Sequence, residues 1–282
     1  MFKRVGVVGI GFMGGSLSLS LKEVYKDCSI FGVDINPAAI KKGISLGLMD
    51  DGSCNVKDLK DFSPEVVVLA TPVRTFKSIA ESLELTQDVI ITDIGSVKGH
   101  IVFMMESLLG SRFVGGHPIA GTEKSGVENS IKGLFKGKKT IITPTERTDK
   151  EAKERIKELW KSLGSIVEEM DPYLHDYIFG AVSHLPHAVA FALIKALIKL
   201  NKGDNDLFKY PGAGFKDFTR IASSDPIMWK DIFLENKENV INAIDVYIES
   251  LEELKRTIVK EDVDKIMQYL KEAKENREEM IN

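Results

Sequence analysis

Lys3-Arg4-Val5-Gly6-Val7-Val8-Gly9-Ile10-Gly11-Phe12-Met13-Gly14-Gly15 opens the chain, and Ser16-Leu17-Ser18-Leu19-Ser20-Leu21 follows it. The valine-rich run has strand character, because β-branched side chains suit a pleated, half-buried surface. The segment after the glycines continues as a helix. The junction reads G-x-G-x-x-G. Gly9 makes the tight turn, Gly11 leaves room for a pyrophosphate to approach the backbone, and Gly14 lets helix and strand pack closely. The free N–H groups and positive dipole end of the helix then face the phosphates. On its own this pattern often marks only a turn. A second strand-like run, Ser29-Ile30-Phe31-Gly32-Val33-Asp34, adds context, because Asp34 stands twenty residues after Gly14. A carboxylate there meets the adenosine ribose hydroxyls and repels a 2′-phosphate, which favours NAD over NADP. The competing interpretation is that Asp34 merely starts a turn before Asn36-Pro37.

The pattern repeats along the chain. Strands are expected at Glu65–Ala70, Asp88–Asp93, Phe113–Gly116, Lys139–Thr143 and Ser165–Met170. Helices are expected at Pro37–Lys42, Phe76–Leu85, Ile101–Leu109 and Lys150–Leu163. Alternation of this kind predicts an α/β unit over residues 1–171, a Rossmann-type, doubly wound parallel sheet. Ligands of such sheets sit beyond the C-terminal strand ends. Gly9–Gly14, Thr71-Pro72, Gly95-Ser96 and Gly116-His117 all lie at such ends and should converge on one crevice. Gly9, Ile10, Gly11, Phe12, Met13, Gly14, Asp34, Thr71, Pro72 and Ser96 are the candidate cofactor contacts.

After Asp171-Pro172 no strand is expected, so residues 172–282 form an all-α unit. Ile178–Leu200 is long and apolar, and reads as a helix buried on most faces, kinked or short of one hydrogen bond at Pro186. Either a subunit interface or a central place in the helical unit would explain its apolarity. Asn201–Gly214 reads as a loop. Helical segments follow at Phe215–Ser223, Pro226–Arg256 and Glu261–Met280.

The chain has 282 residues, 43% hydrophobic and 28% charged, with a formal net charge of −4. That balance is ordinary for a soluble protein and gives no basic field for nucleic acid. Cys28 and Cys54 have no metal or redox spacing. By inspection no apolar run approaches the roughly 18 residues of a membrane span, and the strand at the very start leaves no room for a signal peptide. These features predict a cytoplasmic protein with no membrane partner. Lysine and glutamate are abundant in the last third, a pattern compatible with heat adaptation.

Four of the five histidines are candidates for chemistry. His117, in Gly115-Gly116-His117-Pro118-Ile119-Ala120-Gly121-Thr122-Glu123, stands at a strand end with glycine flanks that permit close approach by substrate; it is either catalytic or a satisfied loop histidine. His184 and His187, in Ser183-His184-Leu185-Pro186-His187, share a helix face, but with no third ligand nearby they make a weak metal pair, and no metal is expected. His100 begins a helix and reads as structural. Arg220 sits between apolar residues and needs a partner, either a substrate carboxylate or one of Glu123 and Asp217.

Gly9-x-Gly11-x-x-Gly14, Asp93-Ile94-Gly95-Ser96-Val97-Lys98, Gly116-His117-Pro118-Ile119-Ala120-Gly121, Ser183-His184-Leu185-Pro186-His187 and the Arg220 segment occur in one order. Together they resemble the prephenate/arogenate dehydrogenase family of tyrosine biosynthesis, from about residue 3 to about residue 275. The resemblance implies a Rossmann-type unit, a helical unit through which the chain dimerises, and NAD as cofactor. It implies oxidative decarboxylation of a cyclohexadiene that becomes aromatic. In that scheme His117 takes or shares the hydroxyl proton, and Ser96 aligns His117, the hydroxyl or the nicotinamide. Arg220 binds a substrate carboxylate, Ser183 and His187 bind the side-chain end, and Glu123 and Asp217 join Arg220 in a network that gates entry. Trp229 closes the pocket or simply packs in the core. A neutral-to-cationic side-chain pocket around His187 favours prephenate over arogenate. Hydroxyacid-type dehydrogenases are the nearest rival; many carry a lysine where this chain has Ser183-His184-x-x-His187. An NAD-binding sensor would need no convergence of Ser96, His117 and Arg220.

Overall fold

The computed structural model describes residues 2–201 and 207–280. The chain begins with β1 (Arg4–Val8), α1 (Phe12–Val24), β2 (Ser29–Val33), α2 (Pro37–Ser45), β3 (Asp51–Ser53), α3 (Leu59–Phe62), β4 (Val66–Leu69) and α4 (Phe76–Ser82). It continues through β5 (Ile90–Asp93), α5 (Gly99–Leu109), β6 (Phe113–Pro118), β7 (Lys139–Thr143), α6 (Lys150–Ser162) and β8 (Ile166–Glu169). The strands form one eight-stranded sheet in the order β3-β2-β1-β4-β5-β6-β7-β8. The chain winds outward from β1 to β3, then returns past β1 to β4. The crevice between the carboxyl ends of β1 and β4 is therefore the switch point at which such sheets bind ligands.

Both sheet faces are covered, and the strand residues divide between them with period two. Val5, Val7, Val66 and Val68 pack with α1 and α6 in one cluster. Val8, Val67, Leu69 and Phe113 pack with α4 and α5 in the other. Burial on both faces explains why these strands read as continuous apolar runs. Trp229 and Ile232 of the helical half belong to the second cluster, so that half docks on this face. In α1, Ser16, Ser18 and Ser20 are buried because each hydroxyl donates to the carbonyl four residues earlier.

Two departures from the expected sheet have local causes. The β6–β7 pairing is antiparallel, with His117 opposite Ile141. No crossover helix lies between these strands, only a loop with one 3-10 turn at Val127–Asn129, so the chain returns antiparallel rather than parallel. The other departure is β3, whose sequence Asp-Gly-Ser has none of the apolar alternation by which strands are recognised; it is held at the sheet edge by β2.

From Pro172 the described elements are helical: α7 (Pro172–Phe179), a π-helical turn (Gly180–His184), α8 (Leu185–Leu200), α9 (Ala213–Thr219), α10 (Pro226–Glu235), α11 (Lys237–Val259) and α12 (Val263–Glu279). The expected kink at Pro186 takes the form of this π turn. Proline cannot donate to the Val182 carbonyl and would clash with it, and a wider turn just upstream relieves both problems. The helix expected over Pro226–Arg256 is split at Asn236. The expected loop Asn201–Gly214 lies partly outside the described residues, and its described part contains the start of α9.

Two expectations about the long apolar helix fail. It is not buried on most faces of this chain: of α8 only Ala190 is buried, while Val182 is 65%, Ile198 51% and Leu200 68% exposed. Nor is it too short or polar for a membrane span. Pro172–Leu200 runs 29 residues, with a mean hydropathy of 1.5 over an 18-residue window. His184, Pro186, His187 and Lys195 break the run to the eye but are too few to make the average polar.

The α1 junction makes a stability prediction. A Cβ on Gly14 would lie 2.0 Å from the Gly9 carbonyl oxygen, whereas one on Gly11 would meet nothing within 4 Å. Gly14→Ala should therefore lose about 1–3 kcal/mol in urea unfolding, and Gly11→Ala should leave stability nearly unchanged.

Candidate active site

The site begins at the glycine loop. Gly9 adopts φ +99°, a conformation that disfavours side chains. Its amide donates to the Val33 carbonyl at 2.7 Å, which ties the turn to β2. The first turn of α1 has no acidic residue and no side-chain cap, so its N–H groups remain available for an anion. Asp34 starts the expected turn and also holds the glycine loop. Its Oδ1 accepts the Asn36 amide and its Oδ2 the Ile10 amide, each at 2.8 Å. A carboxylate has about four acceptor positions, so capacity remains for ribose hydroxyls. An open Gly11 cradle, an uncapped helix start and this acid fit a dinucleotide.

Beside the loop lies a cavity of about 370 Å³. Gly11, Phe12, Met13, Thr71, Pro72, Ser96, His117 and Glu123 are in its wall, with Ser224, Asp225, Met228 and Ile232 closing it from the helical half. The predicted convergence of four strand ends thus occurs. Gly9, Ile10, Gly14 and Asp34 stand behind the wall. The Ile10 side chain is a core residue, only 1% exposed.

His117 lies on β6 with its ring half-buried. Its partner is not Ser96. His117 Nδ1 is 2.8 Å from His175 Nε2, and His175 Nδ1 is 2.9 Å from Asp176 Oδ1. Phe179 packs edge-on against His117, with ring centres 5.1 Å apart. Burial, reinforced by His175, Lys98 and His184, holds the His117 pKa well below the usual imidazole value. Burial takes His175 down to about 2. Both rings are therefore neutral at pH 7. The glycines before His117 serve β6 rather than the substrate. Both are buried, and a Cβ on Gly116 would lie 2.8 Å from the Asp93 carbonyl oxygen.

Sequence reasoning passed over His175 and Asp176. It quoted Asp93 and Lys98 only as part of a motif. Lys98 is fully buried, and its ammonium pairs with Asp93, whose carboxylate also accepts the amides of Gly95 at 2.9 Å and Gly116 at 3.1 Å. An acid at the end of a strand with a lysine five residues later was the available signal. For the other pair it was the His175-Asp176 dipeptide one turn after the Asp171-Pro172 helix start. Asn236, where α10 and α11 separate, donates to the Asp176 carbonyl at 2.7 Å and to His184 Nδ1 at 3.0 Å. His184 is thus structural, held neutral by burial with a pKa of about 4.

The rim matches expectation in part. Arg220 Nη1 donates to Glu123 Oε2 at 2.6 Å. Asp217 is exposed and takes no part in this pair. Trp229 is 5% exposed and stacked on His187 with ring centres 3.7 Å apart; it packs in the core and lies outside the cavity wall. Ser183, His187 and Arg220 also stand outside that wall. His187 Nδ1 donates to the Ser183 carbonyl at 2.9 Å. Burial lowers the His187 pKa, so the ring is neutral and Nε2 is an acceptor. The cations near this rim are Arg220 and Lys124, not His187. His100, exposed at the start of α5, pairs with Glu235 at 2.9 Å. Among the described residues no group of three or more His, Cys, Asp or Glu is placed to hold a metal.

Comparison with known proteins agrees with this architecture. Residues 17–169 match the family model for the prephenate dehydrogenase nucleotide-binding domain, and residues 171–272 that for the prephenate dehydrogenase dimerization domain. Prephenate dehydrogenase of Bacillus subtilis is 34% identical over 278 residues, 96% of this chain and 74% of the relative. Cyclohexadienyl dehydrogenase of Zymomonas mobilis is 30% identical over 281 residues, 98% of this chain and 96% of the relative. A crystal structure of prephenate dehydrogenase from A. aeolicus, in complex with hydroxyphenyl propionate and NAD+, is 55% identical, with a TM-score of 0.95 and coverage of 99% of each chain. The chain belongs to the prephenate dehydrogenase family.

Proposed function

We propose that this chain is an NAD-dependent oxidoreductase that converts prephenate to 4-hydroxyphenylpyruvate and carbon dioxide. The observation that carries this reading is His117 standing in one cavity wall with Gly11 and Ser96, its ring neutral and one nitrogen already engaged. The A. aeolicus relative supports the substrate class, since hydroxyphenyl propionate shares the ring hydroxyl and three-carbon acid of the product. The keto-acid assignment rests on these relatives, because a neutral His187 does not itself select a keto group over an ammonium.

The dinucleotide would lie along Gly9–Gly14, with its phosphates at the α1 N-terminus and its ribose at Asp34, between Thr71-Pro72 and Ser96. When bound, NAD supplies the hydride acceptor. His117 takes the substrate hydroxyl proton on Nε2 while the hydrogen on the same carbon leaves as hydride. Ser96 lies in the same wall and orients the hydroxyl. The ring carboxylate then departs as carbon dioxide, and its electron pair makes the ring aromatic and the former carbonyl oxygen a phenolate. The balance contains no net proton, so His117 returns the one it took. An imidazole with a strongly depressed pKa gives a proton back readily.

Arg220 would bind a substrate carboxylate. Its pair with Glu123 leaves 59% of the arginine side chain exposed, and solvent-screened pairs of this kind contribute little. A carboxylate can therefore replace Glu123 at little cost, which makes Glu123 the gate. Ser183 and His187 would contact the side-chain end. The division into a dinucleotide-binding unit, residues 1–171, and a helical substrate and dimerisation unit, residues 172–282, belongs to the same proposal. So do a cytoplasmic location and a homodimer that covers the exposed apolar side of α8. Sedimentation equilibrium should then give twice the 31.3 kDa chain mass.

NADH formation, measured with prephenate or arogenate and with NAD or NADP, tests this directly. Turnover of prephenate with NAD is expected. A folded protein that binds NAD but turns over neither substrate would refute it. His117→Asn should lower kcat by about 10²-fold or more with NAD affinity retained. Arg220→Gln should raise KM at nearly constant kcat, the signature of lost uniform binding. Glu123→Gln should change KM or its pH dependence.

A further inference from the structure

Behind His117 stand groups that the reaction above does not use, and with Asp176 ionised their hydrogen bonds run in one direction. Asp176 Oδ1 accepts the Lys98 amide at 2.7 Å, and Oδ2 accepts the Gly99 amide at 2.8 Å. Amides can only donate, so the carboxylate faces them as an acceptor. His175 Nδ1, 2.9 Å from the same Oδ1, therefore carries a proton. His175 is buried and neutral, and a neutral imidazole has one N–H. Its Nε2 is then an acceptor, and it lies 2.8 Å from His117 Nδ1, so that nitrogen carries the proton of His117. The lone pair of His117 is left on Nε2.

We propose that Asp176 and His175 are positioning residues which hold His117 in its Nδ1–H tautomer and so make Nε2 the basic atom. This rests on the reading of His117 as the proton acceptor. The device has a sharp dependence on one proton. Burial pushes the Asp176 carboxyl up to about 6, against the opposing effects of the Lys98 and Gly99 amides and the Lys98 charge. A protonated Asp176 donates to His175 Nδ1. His175 Nε2 then donates to His117 Nδ1, and the His117 proton moves to Nε2, where it blocks the base. The charged and titratable groups around this chain are Lys98 with its partner Asp93, and His184 on the π turn; Asn236 is neutral and fixed by Asn239. His117 itself does not titrate near pH 6, so an acid limb there belongs to Asp176.

Imidazole nitrogen NMR of the ligand-free chain reads the tautomer without any turnover, with His117→Asn identifying the signal. At pH 7.5 His117 should be the Nδ1–H form, and it should convert to Nε2–H as pH falls through about 6. Finding His117 as Nε2–H at pH 7.5 overturns the proposal. In turnover, kcat should fall on the acid side with an apparent pKa near 6, and Asp176→Asn, which cannot titrate there, should abolish that limb. His175→Leu should lower kcat by on the order of 10²-fold with KM little changed; a wrong histidine tautomer costs roughly 10⁴-fold in a catalytic triad. His175→Gln, whose carbonyl can still accept from His117 Nδ1, should recover part of the loss. An unchanged acid limb in Asp176→Asn, or equal losses in the Leu and Gln variants, would also overturn it. Failure of the parent enzyme to oxidise prephenate would instead refute the reading of the reaction, whatever the tautomer.

Discussion

The Asp176 carboxylate accepts the two amides at the start of α5, and through them the helical half is fastened to the carboxyl end of the sheet. Helix α5 has no side-chain cap of its own. A carboxylate at a helix start satisfies orphan donors and lies favourably in the dipole field, so α7 caps a helix that belongs to the other half. The same residue, Lys98, offers its amide to Asp176 and its ammonium to Asp93, and Asp93 in turn accepts amides from β6 and the β5 loop. Two carboxylates and one lysine thus join β5, β6, α5 and α7. Burying such charges is expensive, and removing one partner of a buried pair costs about 3–5 kcal/mol. The network is consequently satisfied as a whole or not at all, and it fixes the loop that carries Ser96.

His117 inherits this rigidity. It stands on a strand whose backbone is pressed against Asp93, its ring is wedged against Phe179, and its inner nitrogen meets a histidine that a fixed carboxylate orients. The neighbouring histidines are kept neutral by burial, so no cation competes for the base except Lys98, and its charge is spent on Asp93. The rim follows the opposite logic. Arg220 is exposed and Glu123 half-buried, and a single solvent-screened contact pairs them. Proton transfer needs a fixed tautomer and substrate entry needs a replaceable contact, and the two are built at different depths.

The glycine loop, the helix after it and most strands were legible in the sequence because their signals are local. Gly9, Gly11 and Gly14 have separate steric tasks, and apolar runs bounded by turn residues leave little ambiguity. The antiparallel β6–β7 pair was not legible, since direction depends on how a long loop returns and not on the composition of Lys139–Thr143. Likewise β3 exists by its pairing with β2. The site divided in the same way. His117, Ser96, Thr71-Pro72 and the Glu123–Arg220 pair could be placed from strand ends and charge needs. His175 could not, because its importance comes from a contact 58 residues away in sequence with His117. Trp229 was an ambiguous aromatic in the sequence; its place in the second cluster and its stack on His187 make it a core residue.

Helix α8 links the two halves of this problem. Its sequence could not distinguish a central helix from an interface, because both require apolar side chains. In the structure His175 and His184 are buried and His187 stacks on Trp229, while Val182, Ile198 and Leu200 are exposed. A helix that served only the chain's own core would bury its apolar side and expose its polar one. Here three histidines are turned inward, where they have partners in Asp176, Asn236 and the Ser183 carbonyl, while those three apolar side chains stay outside. The proposed homodimer would cover this apolar flank, and Val182 on it belongs to the same π turn as His184. In the proposed homodimer, assembly and catalytic geometry act on one segment, so loss of the interface would loosen the histidine cluster before it disturbed the glycine loop.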